Sequence, residues 1–138
     1  MTHSLAKRYR FSAAHTLRSP RLSSEENQRV FGKCAHASGH GHDYVVEIVV
    51  SSPALHDDVV WGHGLLDDVM AREVTARLAY SNLNTAFGDE FIPTGENLAR
   101  MVYDLVVPHL AAPLRLEVRL IETEKNAFLY SGPAAGQV

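Results

Sequence analysis

Asp43-Tyr44-Val45-Val46-Glu47-Ile48-Val49-Val50-Ser51 is the stretch whose reading decides the fold. Its β-branched residues favour an extended strand. Strand side chains alternate between faces, and from Tyr44 to Val50 both faces are apolar except at Glu47. One face can be covered by helices of the same chain. The other needs a second cover, and for so short a chain a second subunit is the expected one.

Outward from this strand, residues 5–14 read as a partner strand carrying Tyr9 and Phe11. The polar stretch 16–39 between them reads as one long loop, a length that usually serves function. Downstream, Leu66, Val69, Met70, Val74 and Leu78 fall at helical spacing over residues 65–78. A second helix is predicted over residues 94–109, with Thr94 as N-cap, Glu96 in its first turn, and Leu98, Met101, Val102 and Leu105 as its stripe. Residues 114–122 alternate, with Leu116, Val118 and Leu120 on one face. Residues 124–126 read as a turn, and residues 127–131 as the last strand. The order ββααββ predicts an α+β protein, an antiparallel sheet with both helices on one face.

The whole chain, residues 1–138, reads as a single domain large enough for its own core. A formal net charge of -3, with no basic run, argues against a nucleic-acid or membrane-surface partner. A polyphosphate substrate would need local cations, and Lys33, Arg18 and Arg21 are candidates by loop position. No segment approaches membrane-spanning length and the first residues carry no apolar signal run, so a cytoplasmic protein is expected.

His40-Gly41-His42 places two imidazoles two residues apart, on one side of an extended chain. A third from a neighbouring strand would make a three-nitrogen cradle with an open position, the form of a catalytic zinc site. The alternative is a pair of solvated histidines in a glycine-rich turn. The single cysteine, Cys34, is either a buried thiol or a reactive one; its neighbours Gly32, Lys33 and His36 fit a thiolate of lowered pKa. His36 and His63 read as loop histidines, His36 being close enough to Cys34 to assist it.

The segments FSAAH (11–15), LSSEEN (22–27), VFGKC (30–34), GHGHDY (39–44), PTGEN (93–97) and ETEKNAFLY (122–130) resemble the 6-pyruvoyl-tetrahydropterin synthase family. That family includes the 6-carboxy-tetrahydropterin synthases of queuosine biosynthesis. The resemblance spans about residues 9–132, and the six-residue step from Cys34 to His40 is similar to the pyruvoyl type. It implies the tunnelling fold: ββααββ subunits joined into a barrel, usually a homohexamer of two trimers with sites between subunits. It further implies Zn2+ held by His15, His40 and His42, a catalytic Cys34, a pterin-anchoring Glu122, and pterin contacts from Thr94 and Glu96. Gly95 replaces a frequent threonine. The implied substrate is 7,8-dihydroneopterin triphosphate, the implied reaction a lyase step of tetrahydrobiopterin biosynthesis.

One part of the pattern differs. The family's catalytic Asp-His pair is Ala79-Tyr80 here. An unperturbed tyrosine titrates near ~10 and is a poor base at neutral pH. Three readings stay open: Tyr80 donates a proton where histidine would, the site cleaves the pterin side chain to a 6-hydroxymethyl or 6-carboxy product with Cys34 alone, or the protein binds pterin without turnover.

Overall fold

Strand β1 (His3–His15) pairs antiparallel with β2 (His40–Ser52) along their full length, from His3 opposite Ser52 to His15 opposite His40. The computed structural model describes residues 2–36, 40–88 and 90–134, with the backbone alone at His40. Strands β3 (Arg115–Thr123), predicted from its alternation, and β4 (Asn126–Tyr130) complete a sheet of order β1-β2-β3-β4. On one face Phe11, Tyr44, Val46, Ile48, Val50, Leu116, Val118 and Leu120 are buried. Helices α2 (His63–Val69) and α5 (Gly95–Val106) are on this face and add Leu66, Val69, Leu98, Ala99, Val102 and Val106 to one core.

The helix begun by α2 continues through a π-helical stretch (Met70–Thr75) into α3 (Ala76–Leu78). Its buried residues Leu66, Met70, Val74 and Leu78 recur every four positions. Around an α-helix of 3.6 residues per turn such a stripe drifts by about 40° per step. The wider π winding counters that drift and keeps the stripe on the sheet.

Among the described residues no helix covers the opposite face. Buried Glu47 accepts from Arg8 Nε at 2.8 Å, and Arg119 Nη1 is 3.6 Å from its other oxygen. Half-buried Val45, Val49 and Ile121 share that face.

The stretch 16–39 is not simply a loop. It holds α1 (Ser24–Phe31) and a 3-10 turn (Gly32–Ala35). Ser23 caps α1 by accepting from Glu26 N, and the Glu26 carboxylate accepts from Ser23 N. Buried Asn27 ties the preceding loop down: its Oδ1 accepts from Ser19 N at 2.7 Å and its Nδ2 donates to Ser19 O. A short helix α4 (Leu83–Ala86) lies in the connection before α5.

Candidate functional site

The site forms where β1 and β2 end beneath the start of α5. Register places His15 directly opposite His40, with His42 two residues along on the same face. His15 is buried and its Nδ1 lies 3.2 Å from the Pro93 carbonyl. The Tyr44 hydroxyl lies 3.2 Å from the same Nδ1; in the tautomer whose Nδ1–H donates to the Pro93 carbonyl, Nε2 presents a lone pair. That Nε2 is 3.1 Å from His42 Nε2. Tyr44, wholly buried, lies edge-on to both rings and stacks on Phe11. Burial, then the Glu122 charge, raises the Tyr44 hydroxyl pKa far above its ordinary value, so it stays protonated.

Cys34 reaches the same place from the 3-10 turn. Gly32, at φ 57°, makes the bend out of α1, and Leu17 N donates to Cys34 O at 2.6 Å. One donor atom each from His15, Cys34 and His42 lie within 4.8 Å of one another. Burial and the Glu122 charge push the Cys34 thiol above its ordinary value, and Lys33 offsets only part of that. This corrects the lowered thiol pKa read from the sequence: the turn packs the sulfur into the protein beside a carboxylate.

Glu122 comes from β3, where the pairing register with β4 shifts between Ile121 and Thr123. Such irregularities re-aim side chains. Its side chain is 8% exposed, and Oε1 lies 3.6 Å from His42 Nε2 and 3.8 Å from His15 Nε2. That oxygen has no hydrogen-bond partner among the described residues. A cavity of about 710 Å³ opens onto the group, lined in part by Phe31, Lys33, Cys34, His42, Glu122 and Asn126. His36 is exposed and lines it too, which brings this histidine closer to the chemistry than a plain loop residue.

Nitrogen, sulfur and carboxylate donors converging at these distances suit a divalent ion of the zinc type. His15 Nε2 and His42 Nε2, 3.1 Å apart beside a buried carboxylate oxygen that has no hydrogen-bond partner among the described residues, fit a cation between them. The third predicted ligand is placed by register only, because the His40 side chain lies outside the described residues.

Other expected site residues fall elsewhere. Thr94 Oγ1 accepts from Asn97 N and caps α5, while Glu96 is exposed; neither lines the Cys34 cavity. Tyr80 is 92% exposed, held at the β1 edge by Tyr80 N donating to Ser12 O, with φ 57°. It lines a groove with Ser12, Asp43 and His42, so His42 borders both this groove and the Cys34 cavity. Of the three candidate cations only Lys33 lines the cavity; Arg18 donates to Ser24 Oγ, and Arg21 lines an outer groove with Arg77 and Arg100. His63 opens α2. Phe31, Tyr44 and Pro93 were not singled out from the sequence. The first two are aromatics inside motifs already quoted, which was the available signal.

Residues 4–133 match the family model described as 6-pyruvoyl tetrahydropterin synthase. The chain belongs to this family. It is 39% identical over 133 residues to the 6-pyruvoyl tetrahydrobiopterin synthase of Drosophila melanogaster, covering 94% of this chain and 79% of that protein. The human protein of the same name is 31% identical, with 93% and 90% covered. The solved structure of the Caenorhabditis elegans 6-pyruvoyl tetrahydropterin synthase superposes with a TM-score of 0.85 at 30% identity, over 96% of this chain and 97% of that one. The fold is accordingly the tunnelling fold of the 6-pyruvoyl tetrahydropterin synthase family. Among the described residues no helix is long and apolar enough to cross a membrane.

Proposed function

We propose that the protein is a zinc-dependent 6-pyruvoyl-tetrahydropterin synthase-like lyase acting on 7,8-dihydroneopterin triphosphate. Family membership supports an enzyme of pterin metabolism. The observation that carries the finer reading is the convergence of His15 Nε2, His42 Nε2, the Cys34 sulfur and Glu122 on one cavity. His15, His42 and His40 would hold the ion, which supplies Lewis-acid polarisation of the substrate's side-chain oxygens.

The protein's own groups account for the rest. The Glu122 carboxylate accepts two adjacent N–H donors of the pterin edge in parallel. Phe31 offers a flat apolar wall to the ring, and Lys33 meets the phosphates. Cys34, as thiolate, takes the proton from the side-chain carbon. The triphosphate then leaves with its C–O electron pair, and the side chain is oxidised as the ring is reduced, so no external oxidant is needed. Burial and the Glu122 charge raise the Cys34 thiol pKa, and a cation bound nearby would act in the opposite direction, favouring the thiolate.

Tyr80 lies exposed at the β1 edge and does not line the Cys34 cavity. It would act in the site of a neighbouring subunit, as in a homohexamer of two trimers, where the helix starts bearing Thr94 and Glu96 would also meet the pterin. The sheet face opposite the helices supports that assembly. Tyr80's exposure also favours a second reading, side-chain cleavage to a 6-hydroxymethyl or 6-carboxy pterin with Cys34 as sole proton relay. A lone thiol kept for chemistry suits the reducing cytoplasm.

The test is to incubate zinc-loaded protein with 7,8-dihydroneopterin triphosphate and follow triphosphate and pterin products. Triphosphate with a 6-pyruvoyl product supports the first reading, and a 6-hydroxymethyl or 6-carboxy product the second. Binding without any product leaves a silent pterin-binding protein and overturns both.

A further inference from the structure

We propose that His36 is the second proton carrier of the site: it takes from Cys34 the proton that the thiolate has removed from the substrate, and passes it to the departing triphosphate. This deepens the reading above and rests on its substrate and its thiol.

The cavity itself selects the residue. Of the side chains that line it, Phe31, Thr123 and Asn126 neither gain nor lose a proton near neutral pH. In the reading above Lys33 meets the phosphates, Glu122 holds the ring edge and His42 holds the ion. His36 is what is left beside Cys34 among the described residues. Imidazole is also the side chain whose ordinary proton exchange falls between pH 5 and 8, so it can both accept and give back a proton.

The backbone keeps the two groups together. Cys34 lies in the 3-10 turn Gly32–Ala35, and His36 ends that turn by donating its backbone N–H to the Lys33 carbonyl at 3.2 Å. Leu17 N holds the same turn through the Cys34 carbonyl at 2.6 Å. Two residues of chain span at most about 7 Å, so the thiol and the imidazole open on the cavity within reach of one substrate. His36 and Lys33 are exposed whereas Cys34 is half-buried. The triphosphate is the most strongly hydrated part of the substrate and belongs at that wetter rim, beside Lys33 and His36.

The proton count closes. The Cys34 thiolate takes a proton from the side-chain carbon and becomes a thiol. His36 accepts that proton from Sγ, which restores the thiolate. The imidazolium then gives it to the bridging oxygen of the triphosphate as the C–O bond breaks, and that oxygen keeps the bonding pair. Both residues end as they began, ready for the next substrate.

The experiment compares the full-length, zinc-loaded protein with its His36→Asn and His36→Ala variants, using 7,8-dihydroneopterin triphosphate and following triphosphate release. His36→Asn keeps a polar side chain and should lower kcat by about 100- to 10,000-fold, with zinc content and binding of 6-methylpterin unchanged. Added imidazole should restore part of the turnover of His36→Ala, because the free base can enter the vacated space and carry the proton. A merely structural residue would not respond to it. Undiminished kcat in His36→Asn overturns the proposal. So does a loss confined to KM, which would make His36 a phosphate contact, and so does a His36→Ala protein that imidazole leaves unchanged. No turnover by the unaltered protein is a failure of the underlying reading, and the proposal falls with it. Turnover by the unaltered protein with full activity in His36→Asn refutes the proposal alone.

Discussion

Glu47 and Glu122 lie on adjoining strands of one sheet, and both side chains are nearly buried, at 11% and 8% exposure. Glu47 points to the helix-free face and is held between Arg8 and Arg119. Glu122 points beneath α5 towards two imidazoles, with Oε1 lacking any donor among the described residues. The same side chain at similar burial is thus structural on one face and chemically poised on the other. Burial does not mark function here; the partner does. A paired carboxylate is spoken for, whereas an unpaired one keeps its charge for an ion or a ligand.

Several substitutions break or sharpen that contrast. The largest effect falls on the poised side: Cys34→Ala should cut turnover by about 100- to 10,000-fold with metal content retained, measured by product release and metal analysis. Full turnover would remove Cys34 from the chemistry. Next comes the pair itself. Glu122→Gln should weaken pterin binding by about 10- to 100-fold, the worth of a charge-assisted contact, and leave the metal-free protein as stable or more so. Glu47→Gln should leave turnover intact and cost about 1 kcal/mol, because Arg8 is largely exposed and its pair is screened. Exchanged outcomes in denaturant melts and binding assays would erase the distinction.

A fourth substitution probes the packing over the poised face. A Cβ on Gly95 would approach the Phe128 ring to 2.1 Å, so Gly95→Thr should cost about 1–3 kcal/mol in a urea melt. Adding Phe128→Val should restore most of it, and a fully stable single variant would contradict this packing. The smallest effect is in the thiol. Because the folded pKa is raised, the protonated form persists through neutral pH and thiolate appears only as pH rises. Alkylation of metal-stripped protein should therefore show a midpoint above the ordinary ~8.5, and a midpoint below that would contradict it.

Much of this was legible in the sequence. The apolar run 44–50 announced a strand buried on one face and partly covered on the other, and the four-residue recurrence from Leu66 to Leu78 announced the long helix, though not its π winding. Helix α1 was missed because its stretch is polar, yet Ser23-x-x-Glu26 is the spacing of a capping box. For Glu122 the signal was parity: it follows Leu116, Val118 and Leu120 at steps of two and so shares their inward face. The thiol's environment was not legible, because charge on the neighbouring Lys33 is visible in sequence whereas burial and the approach of Glu122 are not. Tyr80 was placed by motif alignment, and its exposure is a property of the strand edge that the alignment does not carry.

The central claim is that His15 and His42 share one divalent ion beside Cys34 and Glu122. Anomalous diffraction at the zinc edge, from crystals of protein reconstituted with Zn2+, tests it most directly. The account predicts one peak per chain within bonding distance of both Nε2 atoms. No peak there, or a peak only at another set of side chains, would contradict it.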